Sequence, residues 1–302
     1  MAFRKNSKIL LISGFLLIGG FFLYRNQASA PVVDIYDEPI KQEPIKEVLS
    51  YKSITLVSDK PGKEVSDAVG FKNLDTVLSL NRIDQRHFQK GMIIVYPSSY
   101  DDYFALSSFP RNIPELSTVP KMMFIAQKEQ EFGAYEYGEL VRFGGLSSGK
   151  KSTPTTSKLF YANWKGKEVI STVDEDWIMK WNVNIDNYDG IGIHEYDLPG
   201  YPASHSCVRL SAKDALWFYD WVDNWILSPE PEEELLAHGT PVLIFGDYAF
   251  GQTAPWKKLV EDPNATKISL ESIQEKIKPL LEDIQKKQEE RDLVLNSKIE
   301  EN

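Results

Sequence analysis

Apolar and polar positions alternate in different ways along the chain, and the changes of rhythm divide it. Arg4, Lys5 and Lys8 precede an unbroken apolar run from Ile9 to Tyr24, closed by Arg25. Residues 31–52 (PVVDIYDEPIKQEPIKEVLSYK) lose all periodicity and are rich in Pro, Glu and Lys, the composition of an extended linker. Helical spacing follows at Val65–Val69 and Leu74–Leu80, then a short strand over Gly91–Pro97. From Lys121 the period shortens to two. Met122, Phe124 and Ala126 are taken as one face of a strand with polar neighbours expected on the other, and Phe132–Phe143 is broken by Gly133 and Gly138 as in hairpins. Leu159–Trp164 and Val169–Val173 read as further strands, and Thr172–Asp189, with two tryptophans among Asp and Asn, as a loop at the mouth of a site.

Ser211–Leu227 (SAKDALWFYDWVDNWIL) carries the strongest helical signal. Ser211 and Asp214 form an N-terminal capping pattern, Leu216, Tyr219, Val222 and Ile226 make one apolar face, and Trp217, Trp221 and Trp225 repeat every fourth residue. Gly239–Gly246 is a buried strand, and Ile268–Asn302 a charged amphipathic helix whose default reading is a solvated one. The pattern predicts a mainly β domain over 120–250 carrying one main helix, a small α+β module over 55–98, a linker over 31–54, and a C-terminal linker and charged helix over 251–302.

Charge and rare residues narrow the chemistry. A net charge of -10 disfavours non-specific nucleic-acid binding, which needs a basic surface. Residues 1–30 have the basic flank and apolar core of a secretory signal or signal-anchor. Ala28-Ser29-Ala30 resembles a cleavage site, but Pro31 directly after it hinders cleavage and favours an uncleaved membrane anchor. In an oxidising compartment cysteines usually come in pairs. This chain has one cysteine, Cys207, and four histidines. The lone thiol is an inert buried group, half of an intermolecular bridge, or a nucleophile.

Its neighbours bear on that choice. In Gly190–Leu210 (GIGIHEYDLPGYPASHSCVRL), Ile191 and Ile193 lead a strand into His194. Pro199, Gly200 and Pro202 force a turn, and the chain returns through Ser204-His205-Ser206-Cys207, bringing His194 back towards the thiol. An imidazole that accepts a thiol proton makes a nucleophile available at neutral pH. The capped helix starting at Ser211 also places a positive N-terminus near Cys207, favouring a thiolate. No spacing of Cys, His and carboxylates resembles a zinc site, and no glycine-rich loop precedes a helix, so neither a metal nor another cofactor is expected. His87 and His238 read as structural or surface residues.

This segment resembles the signature of the L,D-transpeptidase catalytic domain (the YkuD or ErfK type): a histidine, a short loop, then Ser/Thr-His-Gly-Cys and Val/Ile-Arg. His194, Ser204, His205, Ser206, Cys207, Val208 and Arg209 supply it here. Gly149-Lys150-Lys151-Ser152-Thr153-Pro154-Thr155 is similar to the family's S-x-G-x-x-x-TPTG stretch, and Gly239-Thr240-Pro241-Val242 to its closing strand. The resemblance implies a β-sandwich or barrel that cleaves the peptidoglycan stem peptide after its third residue through a thioester on Cys207. It further implies His194 as base and then acid, Ser204, His205 and Ser206 around the oxyanion and substrate, and Arg209 orienting the loop or pairing with a carboxylate. An amine of a second stem, an envelope protein or water would resolve the thioester, on the periplasmic side of the inner membrane. Two departures stand out: Ser206 replaces the family's glycine, and no glycine closes the Thr153-Pro154-Thr155 stretch, where Thr156 and Ser157 stand. They leave open an inactive cell-wall-binding protein that keeps the fold. Leu80-Asn81, Gly91 and Tyr96-Pro97 also resemble the second half of a LysM module, a small peptidoglycan-binding fold.

Overall fold

The computed structural model describes residues 49–171, 176–229, 231 and 233–300. The expected anchor and most of the linker lie outside the described residues, and among the described residues no helix is long and apolar enough to cross a membrane.

The module at the start is a β-α-α-β unit. Strand β1 (Tyr51–Thr55) leads through α1 (Pro61–Val69) and α2 (Leu74–Leu80) to β2 (Ile93–Pro97), which pairs antiparallel with β1 in the register Tyr51 to Pro97. Residues 51–54, expected in the linker, are therefore a strand. Tyr51 is buried, and β2 supplies the hydrogen-bonding partner that the polar sequence Lys52-Ser53 conceals. The two helices and β2 close a small core of their own around Leu56, Val65, Val77 and Ile94.

The main domain consists of β3 (Met122–Ala126), β4 (Glu131–Glu136), β5 (Glu139–Ser147), β6 (Leu159–Tyr161), β7 (Lys165–Ile170), β8 (Ile178–Asp186), β9 (Ile191–Glu195) and β10 (Val208–Leu210). These are followed by α3 (Ala212–Trp221), a β11–β12 pair (Ile226–Leu227 with Leu235–Ala237) and β13 (Pro241–Phe245). Nine of these strands make one mixed sheet in the order β6-β13-β3-β4-β5-β10-β9-β8-β7. The sheet curls on itself: the Asn163 N–H reaches the Asn184 carbonyl at 2.8 Å and the Asn184 N–H the Trp164 carbonyl at 2.9 Å, joining the end of β6 to β8. Thr172–Asp189 is thus no simple mouth loop, because Ile178–Asp186 is strand β8.

Both faces of the sheet are covered, so β3 is buried at all five positions. Met122, Phe124 and Ala126 face one core, Met123 and Ile125 the other. Helix α3 covers the second core with Ala215, Phe218 and, at its C-cap, Val222. The cap forms as expected, with the Ser211 hydroxyl accepting from the Asp214 N–H at 3.2 Å. The helix stops earlier than its periodicity predicts: Val222 is extended (ψ 141), and Ile226 and Leu227 are in β11. Leu216, expected on the apolar face, is exposed.

The C-terminal segment is no solvated appendage. It forms two helices, α4 (Leu270–Ile277) and α5 (Leu281–Glu300), and buries Trp256, Leu259, Ile273, Ile277 and Ile284 in the first core. Arg291 caps the carbonyls of Asn224 and His238 at 2.7 and 2.9 Å. A buried ion pair ties the module to the sheet. Arg82 donates to Glu131 at 2.6 Å and to the carbonyls of Glu129 and Leu80, while its guanidinium lies 5.0 Å from the centre of the Trp256 ring.

Candidate active site

Parallel pairing of β9 with β10 builds the centre of the site. Val208 is opposite Ile193 and Arg209 opposite His194, so Cys207, one residue before β10, falls beside Gly192. Side chains two apart on a strand share a face. Gly192 and His194 therefore flank the thiol on one side of the sheet. The Gly192 position has no room for a side chain, because a Cβ there would lie 2.4 Å from the Asn182 Oδ1.

His194, Ser204, His205, Ser206, Cys207 and Arg209, all six residues singled out in the sequence, line one cavity of about 170 Å³. Its opposite wall is apolar and comes from the β7–β8 hairpin: Trp164, Val169, Ile170, Trp177 and Met179. Asn182 and Asn184, both buried, add polar groups from β8.

The two principal groups are both neutral at neutral pH. Burial depresses His194 from 6.5 to about 4; the Arg209 charge also lowers it, and the Glu195 carbonyl opposes the shift. That carbonyl accepts from the ring Nδ1–H at 2.9 Å, which leaves Nε2 as the free acceptor of the neutral imidazole. Cys207 is half-buried. Burial pushes its thiol up, partly offset by a hydrogen bond from the Gly192 N–H and by Arg209. The α3 N-terminus, expected to favour a thiolate, is remote. Strand β10 intervenes at about 3.3 Å per residue, and dipole effects fade within the first turn. Asp214 stands in that first turn and pairs with Arg142 of β5.

The remaining residues hold the loop. Ser204 is buried, and its hydroxyl donates to the Cys207 carbonyl. His205 packs against Trp177 with ring centres 4.9 Å apart, and its Nε2 accepts from the Lys150 ammonium at 2.7 Å. Burial and the charges of Lys150 and Arg209 hold His205 below the usual range. Ser206 has φ 85, a left-handed conformation that favours glycine. Arg209 lies over the Tyr196 ring at 4.5 Å rather than in an ion pair with a carboxylate.

Sequence reasoning singled out neither Asn182 nor Gly192, both of which line the cavity, nor Lys150, which is not part of its lining but contacts His205. Lys150 stood in a motif already noted, and Trp177 and Asn182 in a stretch taken for a loop. Residues 120–244 match the family model of the L,D-transpeptidase catalytic domain, YkuD. The matched segment runs from just before β3 into β13 and contains every candidate residue. Solved structures similar to this chain include an L,D-transpeptidase (Yku) from Stackebrandtia nassauensis, at 20% identity and a TM-score of 0.35, covering 43% of this chain and 57% of that one. An L,D-transpeptidase mutant from Enterococcus faecium follows at 21% identity, a TM-score of 0.34 and coverage of 42% and 50%. One from Mycobacterium tuberculosis stands at 22%, 0.34, 42% and 58%. The chain thus spans little more than half the length of these proteins. No curated protein matches it. The mainly β, curled architecture is that expected of an L,D-transpeptidase domain.

Proposed function

We propose that this protein is an exported peptidoglycan L,D-transpeptidase acting through a thioester on Cys207. The observation that carries the reading is the convergence of the sole thiol and a neutral, Nδ1-anchored imidazole on one cavity within the matched segment. His194 Nε2 takes the Cys207 proton as the sulfur attacks the carbonyl carbon of the third stem residue. The carbonyl π pair moves to oxygen and is held by backbone N–H groups around Ser206 and Cys207. Collapse of the tetrahedral species breaks the C–N bond, and the departing amine of the terminal D-alanine takes the proton back from His194. An amine of a second stem then attacks the thioester; the C–S bond breaks and the thiol is restored. Water in its place would give a tripeptide product.

The cavity suits this substrate class. Its apolar wall of Trp164, Ile170, Trp177 and Met179 suits an extended peptide, while Asn182, Asn184 and the Arg209 cation offer partners for amides and carboxylates. The membrane tether and periplasmic location belong to the same proposal and rest on residues 1–30. Incubation of the protein with tetrapeptide-bearing muropeptides tests the reading. Cross-linked dimers from the wild type and none from Cys207→Ala support it; tripeptides alone make it a carboxypeptidase. Equal turnover by Cys207→Ala rejects it.

A further inference from the structure

The peptide bond that precedes Cys207 is held from outside the signature segment. The Thr155 hydroxyl donates to the Ser206 carbonyl at 2.8 Å and accepts from the Gly149 N–H at 2.8 Å. Thr155 is 3% exposed and belongs to the loop behind the site, not to the cavity wall. In a planar trans peptide the N–H points opposite to the C=O. Fixing the Ser206 carbonyl onto Thr155 therefore aims the Cys207 N–H away from that loop, to the side where Ser206 and Cys207 line the cavity. The loop is itself rigid. A Cβ at Gly149 would lie 2.3 Å from the Thr153 carbonyl, and the Lys150 N–H and the Thr153 hydroxyl both reach the Ser204 carbonyl, at 2.9 and 3.2 Å.

Ser206 gives the clamp a reason. Its φ of 85 is costly for a residue with a side chain, so this peptide plane would turn if nothing held it. A neutral side-chain hydroxyl with one donor and one acceptor partner, both backbone, is a device suited to holding it.

We infer that Thr155 is a positioning residue that turns the 206–207 peptide so that the Cys207 N–H meets the oxyanion of the acyl-transfer step. The inference rests on the proposed thioester chemistry and specifies which side chain orients the oxyanion donor.

Two reactions of the same sulfur separate the effects. Acylation of Cys207 by a carbapenem opens the β-lactam through an oxyanion: the C–S bond forms, the C–N bond breaks, and the ring nitrogen takes the proton. Alkylation by iodoacetamide displaces iodide and develops no oxyanion. Thr155→Val in the full chain should slow carbapenem acylation by roughly ten- to a hundredfold, in line with the loss of a well-aimed oxyanion donor. It should leave the alkylation rate within about twofold of wild type, and Thr155→Ser should restore acylation. If valine at this position prevents folding, as judged by circular dichroism, Thr155→Ala replaces it with the same expected outcome. Equal slowing of both reactions, or of neither, overturns the inference. Wild-type protein that forms no adduct on Cys207 would instead remove the thioester reading itself, and the two failures are distinguishable.

Discussion

Acidification should stop acyl transfer only near pH 4, far below the range of an ordinary histidine. Burial lowers His194 from 6.5 to about 4, and at 1.36 kcal/mol per pH unit protonating the folded site costs roughly 3 kcal/mol more than protonating a free imidazole. The proposed base must be neutral, so carbapenem acylation should hold from neutral pH down to about pH 5 and be half lost near pH 4. The sulfur behaves differently. Burial holds the Cys207 thiol above its ordinary range, so alkylation by iodoacetamide, which needs the thiolate, should climb steadily from neutral into alkaline pH. The same shift has a consequence for stability. The unfolded chain binds the proton first, at an ordinary histidine pKa, so the folded state loses stability as pH falls from about 6.5 to about 4, by up to roughly 3 kcal/mol from this group. His194→Gln should flatten that part of the stability profile while strongly slowing acylation. An alkylation rate already at its plateau between pH 5 and 8 would refute this reasoning, because it would require a preformed thiolate–imidazolium pair.

Two further predictions concern the frame around the site. Arg82→Met removes the partner of a buried carboxylate that also accepts from Ser107 and Ser108, and should lower stability by about 3–5 kcal/mol in urea denaturation; a loss below 1 kcal/mol would mean that the module and the sheet are held together elsewhere. Ser206→Gly relieves the left-handed conformation, offset by the greater freedom of glycine in the unfolded chain, and should stabilise the protein by about 0.5–1 kcal/mol in a thermal melt, whereas a fall in Tm would show that the serine side chain contributes more than its backbone costs.

Much of the candidate site could be read in the sequence because one contiguous segment supplies it. Ile191 and Ile193 marked β9, the Pro199–Pro202 turn returned the chain, and the spacing set His194 beside Arg209 in the β9–β10 register. Strand β8 was concealed by the site itself. Asn182 and Asn184 are buried polar residues facing the cavity, so a strand in the wall reads like a loop when polarity is taken as exposure. In β3 the expected period of two is absent: Met123 and Ile125 are as apolar as Met122, Phe124 and Ala126, because the strand is buried on both faces. The early end of α3 has no local signal, because Trp225 and Ile226 continue the helical period while β12 pairs with Ile226 and Leu227 instead. The docking of α4 and α5 was legible in principle: Ile273, Ile277 and Ile284 keep helical spacing, but the surrounding charges outweighed them. The contacts of Thr155 with Ser206 and of Lys150 with His205 join residues more than fifty positions apart, which no local pattern encodes.

The central claim concerns one sulfur atom. Brief incubation of the protein with a tetrapeptide stem, acid quenching and peptide mapping by mass spectrometry would locate any acyl group directly. Thioester chemistry on Cys207 predicts a tripeptidyl mass increment on the peptide containing it, absent in Cys207→Ala and strongly reduced in His194→Gln. Turnover of the stem with the acyl group on another residue, or with none on the protein at all, would contradict it.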